Sequence, residues 1–163
     1  MILGNPYNFS VFIKTIKEWN VGDEFCLGVL LFCIDGNIFP KEIVTATLRC
    51  EIPPLKEKLK NLVTNERLYN LQKDKAFVEI YNITIPEDIS IDNDYCFDIT
   101  PESFEDENCY VFAVSNGNEV RIMAAKLNYN VKESRHEPNN IEISETFMAI
   151  DELNKILSQL DMY

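Results

Sequence analysis

The run Tyr110-Val111-Phe112-Ala113-Val114 is apolar at every position, and it is followed by Asn116-Gly117-Asn118 and then by Val120–Leu127. β-Branched and aromatic residues fit a pleated, half-buried surface, and Asn-Gly supplies the positive φ angles of a tight turn. Cys109–Ser115 and Val120–Leu127 are therefore expected to form a hairpin. A strand with no polar face must be covered on both sides, so Tyr110–Val114 is expected to lie centrally in a sheet with other elements packed above and below.

Other segments extend this pattern. Phe9–Ile16 is dense in β-branched and aromatic residues and predicts a first strand. Glu24–Ile34 predicts a second, turning at Asp35-Gly36 into Asn37-Ile38-Phe39, which Pro40 ends because it has no N–H for a ladder. Val44–Cys50 reads as a further strand by its Val and Thr content, with helix as the alternative. Pro53-Pro54 then opens a helix near 54–63 in which Leu55, Leu59 and Leu62 recur at helical spacing. A short helix is expected over Asn65–Leu71, a strand over Ala76–Ile85 closed by Pro86, and a strand at Ile141–Ile143 after the polar loop Asn130–Asn140. Asp151 is placed to cap a helix near 151–161, with Leu153, Ile156, Leu157 and Leu160 as its apolar stripe. Runs of strands with few intervening helices imply an α+β fold. The expected form is one domain over 1–163, a mainly antiparallel sheet with the two amphipathic helices packed on it.

Charge is distributed very unevenly. The chain carries a net charge of −12. No lysine or arginine occurs from Ala76 through Val120, where Glu79, Glu87, Asp88, Asp92, Asp94, Asp98, Glu102, Glu105, Asp106, Glu107 and Glu119 all fall. Nucleic acid is recognised by basic side chains that displace counterions, so a nucleic acid ligand is excluded and a basic partner is expected.

Signals for catalysis are few. The one histidine, His136, stands between Arg135 and Glu137 in a polar stretch and reads as a solvated side chain, with no serine or cysteine motif to serve as its nucleophile. Cys26, Cys33, Cys50, Cys96 and Cys109 form no C-x-x-C pair and are expected to be reduced and mostly buried. The five glycines form neither phosphate-binding pattern. Asp88, Asp92 and Asp94 lack the third oxygen ligand and the glycine of a calcium loop. No cofactor, metal or catalytic residue is assigned. The opening Met1-Ile2-Leu3-Gly4-Asn5-Pro6 lacks the character of an export signal, and apolar runs are too short to span a bilayer, so a soluble cytoplasmic protein with no membrane partner is expected.

The acidic stretch reads either as loops solvated by their carboxylates or, because large apolar side chains are interleaved with them, as a protein surface that binds a basic partner. Glu87, Asp88, Asp92, Asp94, Glu102, Glu105, Asp106 and Glu107 are its expected carboxylates, and Tyr95 and Phe104 its expected anchors. A nuclease keeps its cleft positive to hold phosphates, so such a surface could be steered to that cleft and block it.

Further residues narrow the reading. Gly4-Asn5-Pro6-Tyr7-Asn8-Phe9, then Glu18-Trp19-Asn20, then Phe32-Cys33-Ile34-Asp35-Gly36-Asn37-Ile38-Phe39-Pro40 occur in this order. Together with Phe97-Asp98-Ile99 and Val111–Ser115, they give the chain a sequence that resembles the immunity protein 42 family. The resemblance implies a bacterial immunity protein of a polymorphic toxin or contact-dependent growth inhibition system, which binds the C-terminal domain of a cognate toxin, often a nuclease. It implies no turnover and carries over no site residue. The rival reading is a small enzyme or ligand-binding domain with a site of carboxylates and tyrosines, and a deep pocket with convergent polar groups would distinguish it.

Overall fold

The computed structural model describes residues 1–21 and 26–161. Glu24, the expected start of the second strand, lies outside them. The first sheet contains β1 (Ile2–Gly4), β2 (Phe9–Thr15), β3 (Leu27–Ile34), β4 (Asn37–Phe39) and β5 (Ala46–Thr47), all paired antiparallel. β3 is its hub, pairing β2 along its length and β5 and β4 at its two ends. Asp35 and Gly36 both take positive φ, 50° and 76°, as the two-residue turn between β3 and β4 requires. Register sets Phe9, Val11 and Ile13 opposite Ile34, Phe32 and Leu30, and all six are buried on one face.

β6 (Cys109–Ser115) and β7 (Glu119–Lys126) form the expected hairpin; β8 (Asn128–Asn130) and β9 (Arg135–Glu137) form a small separate ribbon; and β10 (Ser144–Ala149) joins β7 on its other side. Among the described residues five α-helices complete the fold: α1 (Leu48–Lys60), α2 (Glu66–Asn70), α3 (Lys73–Thr84), α4 (Glu102–Glu105) and α5 (Ile150–Leu160). The α+β architecture with mainly antiparallel sheets is thus as the sequence implied.

The β6–β7 hairpin separates two apolar cores. Val111, Ala113, Ile122 and Ala124 face the first sheet, α1 and α5, whereas Tyr110, Phe112, Val114, Met123 and Ala125 face Leu68 of α2 and Phe77, Ile80 and Tyr81 of α3. Both faces of Tyr110–Val114 are covered, as expected, but the strand is not central. The order β10-β7-β6 leaves β6 at the edge. Irregular segments close that edge: the Ile99 N–H donates to Val111 O, the Ala113 N–H to Phe97 O, and the Ser115 N–H to Val63 O.

Several segments differ from their sequence reading. Ala76–Ile85 is not a strand but the body of α3, because its buried residues Ala76, Phe77, Ile80, Tyr81 and Thr84 recur on one helical face against the second sheet. Tertiary burial there outweighs the strand preference of Val78, Ile80 and Ile83. Val44–Cys50 contributes two strand residues and then enters α1, whose buried stripe runs Leu48, Ile52, Leu55, Leu59 straight through Pro53 and Pro54. Glu51 starts that helix early, its carboxylate accepting the Thr47 N–H at 2.9 Å in the manner of a capping box. Ile141–Ile143 is not a strand; β10 begins at Ser144. The loop Asn130–Asn140 contains β9. Asp151 sits in the first turn of α5 instead of capping it, and Ala149 holds the cap position without a side-chain bond. Of the five free cysteines Cys109 is buried, Cys26 and Cys33 are partly covered, and Cys50 and Cys96 are exposed, so the thiols are not mostly buried.

Candidate functional site

Beyond α3 the chain crosses Pro86 and makes a loop built by its own carboxylates. Asp88 accepts the Ser90 N–H at 2.9 Å and its hydroxyl at 2.7 Å, and those bonds hold the Asp88 carboxyl below its usual range. Asp94 accepts the Cys96 N–H at 3.0 Å. Such local bonds satisfy the backbone while leaving side chains outward. Glu87, Asp88, Asp92, Asp94 and Tyr95 are all exposed, and so are Ile89 and Ile91 between them.

The second acidic run lies on and after α4. Glu102, Glu105 and Asp106 are exposed and Glu107 is half-buried, 3.5 Å from Lys126. Although Glu105 is exposed at its surface, partial desolvation of its carboxyl, followed by the nearby Asp98, pushes that group up. Phe104 differs from the expectation of a surface anchor. Its ring is fully buried, 4.8 Å from that of Phe32, because α4 turns this position toward the first sheet while its acids face out.

Three other acids of the stretch are committed elsewhere. Asp98 is buried and accepts Lys58 Nζ at 2.8 Å; Glu79 pairs with Arg67 between α2 and α3; and Glu119 accepts the Tyr69 hydroxyl at 2.9 Å. Arg67 holds the Glu79 carboxyl below its ordinary value. None of the ion pairs among the described residues holds Asp88, Asp92, Asp94, Glu102, Glu105 or Asp106, so these carboxylates are not committed to a lysine or arginine of the chain itself.

An aromatic cluster adjoins both runs, through the Arg135–Glu87 pair and through Asn108 next to Glu107. His136, on β9, is half-buried and not freely solvated: its Nε2 lies 2.6 Å from Asn108 Oδ1 and its Nδ1 3.3 Å from the Tyr110 hydroxyl. The His136 ring packs edge-on against Tyr110 at 5.3 Å and Tyr129 at 5.1 Å, and Tyr110 packs on Tyr81 at 5.5 Å. Burial raises the Tyr110 phenol, and Tyr81, Glu105, Asp98 and Tyr95 raise it further. Arg135 ties the ribbon to the loop through Glu87 at 2.7 Å and also holds Glu133 at 2.8 Å.

The ribbon's part in this surface escaped the sequence reading. Its strands are three residues each and mostly polar, and the alternation of Asn128-Tyr129-Asn130-Val131 is too short a signal to separate from a loop.

The described residues contain no group of three or more histidine, cysteine, aspartate or glutamate side chains placed to hold a metal ion. A groove of about 610 Å³ runs between α3 and residues 138–143, lined by Leu71, Val78, Asn82, Pro138 and Ile141 among others. It is open to solvent, and the Glu79 carboxylate on its wall is already held by Arg67. Among the described residues no helix is long and apolar enough to cross a membrane.

The sequence model of the immunity protein 42 family matches residues 1–163. None of the curated proteins matches the chain. The fold is similar to the crystal structure of CdiI from Burkholderia dolosa AUO158, with a TM-score of 0.79 over 99% of this chain and 99% of that one, at 20% identity.

Proposed function

Because the chain belongs to the immunity protein 42 family, we propose that it neutralises one cognate toxin domain by stoichiometric binding in the cytoplasm, as a single domain and with no turnover of its own. The observation that carries the mode of action is the pair of largely exposed acidic runs, Glu87–Asp94 and Glu102–Glu107, both linked to the Tyr110–His136 cluster, the first through the Glu87–Arg135 pair beside His136 and the second through Asn108, which follows Glu107 and bonds His136. Carboxylates set on a surface in this way attract a basic partner over long range and speed encounter. A nuclease is the toxin class this suits, since a cleft that binds phosphates is positive and a row of carboxylates can occupy it. The contacting residues are Glu87, Asp88, Asp92, Asp94, Tyr95, Glu102, Glu105, Asp106 and Glu107; Phe104 supports them from within the core.

The test uses the C-terminal domain of the toxin encoded beside this chain, measured for co-purification, for rescue of growth and for binding kinetics. Asp92→Lys, Glu102→Lys and Asp106→Lys together are expected to slow association about tenfold or more at low salt and to flatten its salt dependence. Unchanged association would overturn the acidic-surface mechanism, and absence of both binding and rescue by the wild-type chain would overturn the neutralising function.

A further inference from the structure

Five large apolar side chains stand out into solvent on two neighbouring segments. Ile89 is fully exposed, Ile91 and Tyr95 are 57% and 54% exposed on the loop after α3, and Tyr129 and Val131 are 50% and 79% exposed on the β8–β9 ribbon. The segments are held side by side. Arg135 of the ribbon pairs with Glu87 of the loop at 2.7 Å, and Tyr129 is seated against His136, which is itself fixed by Asn108 and Tyr110. Single exposed apolar residues need no explanation, but a group of them interspersed with Asp88, Asp92 and Asp94 has the make-up of an interface core with a charged rim.

Resting on the neutralising role above, we infer that the β8–β9 ribbon and the loop 87–95 form one docking surface, with Tyr129, Val131 and Ile89 as its anchors. The occupant is the toxin domain, at a site where basic side chains surround an apolar cleft. Charge complementarity selects that partner: the carboxylates Asp88, Asp92 and Asp94 lie beside the anchors, and of the ribbon's two cations, Lys132 and Arg135, Arg135 is already taken by Glu87 and Glu133, so negative charge is in excess around the anchors. The division of labour follows from range. Rim carboxylates act before contact and set the association rate, whereas buried anchors act after contact and set the dissociation rate. Tyr129 is suited to the second task, because its ring is propped by His136 before the partner arrives and little side-chain freedom is lost on binding.

The experiment measures association and dissociation rates with the purified adjacent-gene toxin domain, for the full chain carrying Ile89→Ser, Tyr129→Ala and Val131→Ser, and separately for Tyr129→Phe. The triple variant is expected to dissociate about tenfold faster or more, with the association rate and its salt dependence kept, and Tyr129→Phe to behave as wild type. All three positions are exposed, and an unchanged unfolding midpoint would show that the fold is intact. Unchanged dissociation of the triple variant, alongside slowed association of the Asp92→Lys, Glu102→Lys, Asp106→Lys variant, would overturn this surface and leave the acidic mechanism standing. Wild-type kinetics for both variants would overturn both.

Discussion

Arg121 and Glu145 meet across β7 and β10, with Nε at 3.0 Å and Nη2 at 2.7 Å from the same carboxylate oxygen, although Arg121 is only 2% exposed. The remaining donor, Nη1, reaches the carbonyls of Leu68, Tyr69 and Leu71 at 3.2, 3.0 and 2.6 Å, at the end of α2. A cation buried in the sheet thus supplies the partners that the helix end lacks. The guanidinium also lies 5.5 Å from the centre of the Phe147 ring.

Replacing Arg121 with methionine leaves those three carbonyls and Glu145 without their donor. A loss of about 3–5 kcal/mol is expected, the cost of breaking a buried pair from one side. Urea unfolding checks it. Glu145→Gln, which keeps an acceptor on a partly exposed side chain, is expected to cost clearly less.

Phe104 is a core residue, and its substitution should read out as stability. Phe104→Ala is expected to lower stability by about 3–5 kcal/mol, as for other buried phenylalanines, by removing its packing against Phe32. Toxin affinity measured well below the lowered melting point should change little. A large affinity loss in a variant of native stability would return Phe104 to the binding surface.

Burial lowers the His136 pKa below its ordinary 6.5, so the folded chain binds that proton less readily than the unfolded one. Stability from this residue is therefore fully present above about pH 6.5 and declines as pH falls through the unfolded value toward the folded one. The neutral ring donates from Nε2 to Asn108 and accepts the Tyr110 hydroxyl on Nδ1; protonation removes that acceptor. Unfolding midpoints compared at pH 7.5 and 5.5 should fall more for wild type than for His136→Gln.

Although Cys96 as a whole is exposed, partial desolvation of its thiol, with the adjacent Asp94 carboxylate next in importance, pushes it up to about 11 from 9.0. Its labelling by a disulfide reagent at pH 8 is expected to run at least about tenfold slower than in the unfolded chain, since the thiolate is the nucleophile. Asp94→Asn should quicken it. Peptide mapping of the labelled protein distinguishes Cys96 from Cys50.

The sequence alone determined what local chemistry decides. Asp35-Gly36 and Asn116-Gly117-Asn118 mark their turns because positive φ favours few residue types, and the stripe Leu153, Ile156, Leu157, Leu160 marks α5 because four apolar residues share one face. It also located the excess negative charge and, through its ordered motifs, the family. Tertiary structure decided whether Ala76–Ile85 would be helix or strand, since its apolar residues suit either until a sheet face selects the helical set. It decided as well which carboxylates remain available. Lys58 neutralises Asp98 from 40 residues away, and Phe104 turns inward while Glu102 and Glu105 turn out. Pairing and burial depend on neighbours distant in the chain, which residue order does not display; for that reason the sequence could count the acids of this surface but not assemble it with the β8–β9 ribbon.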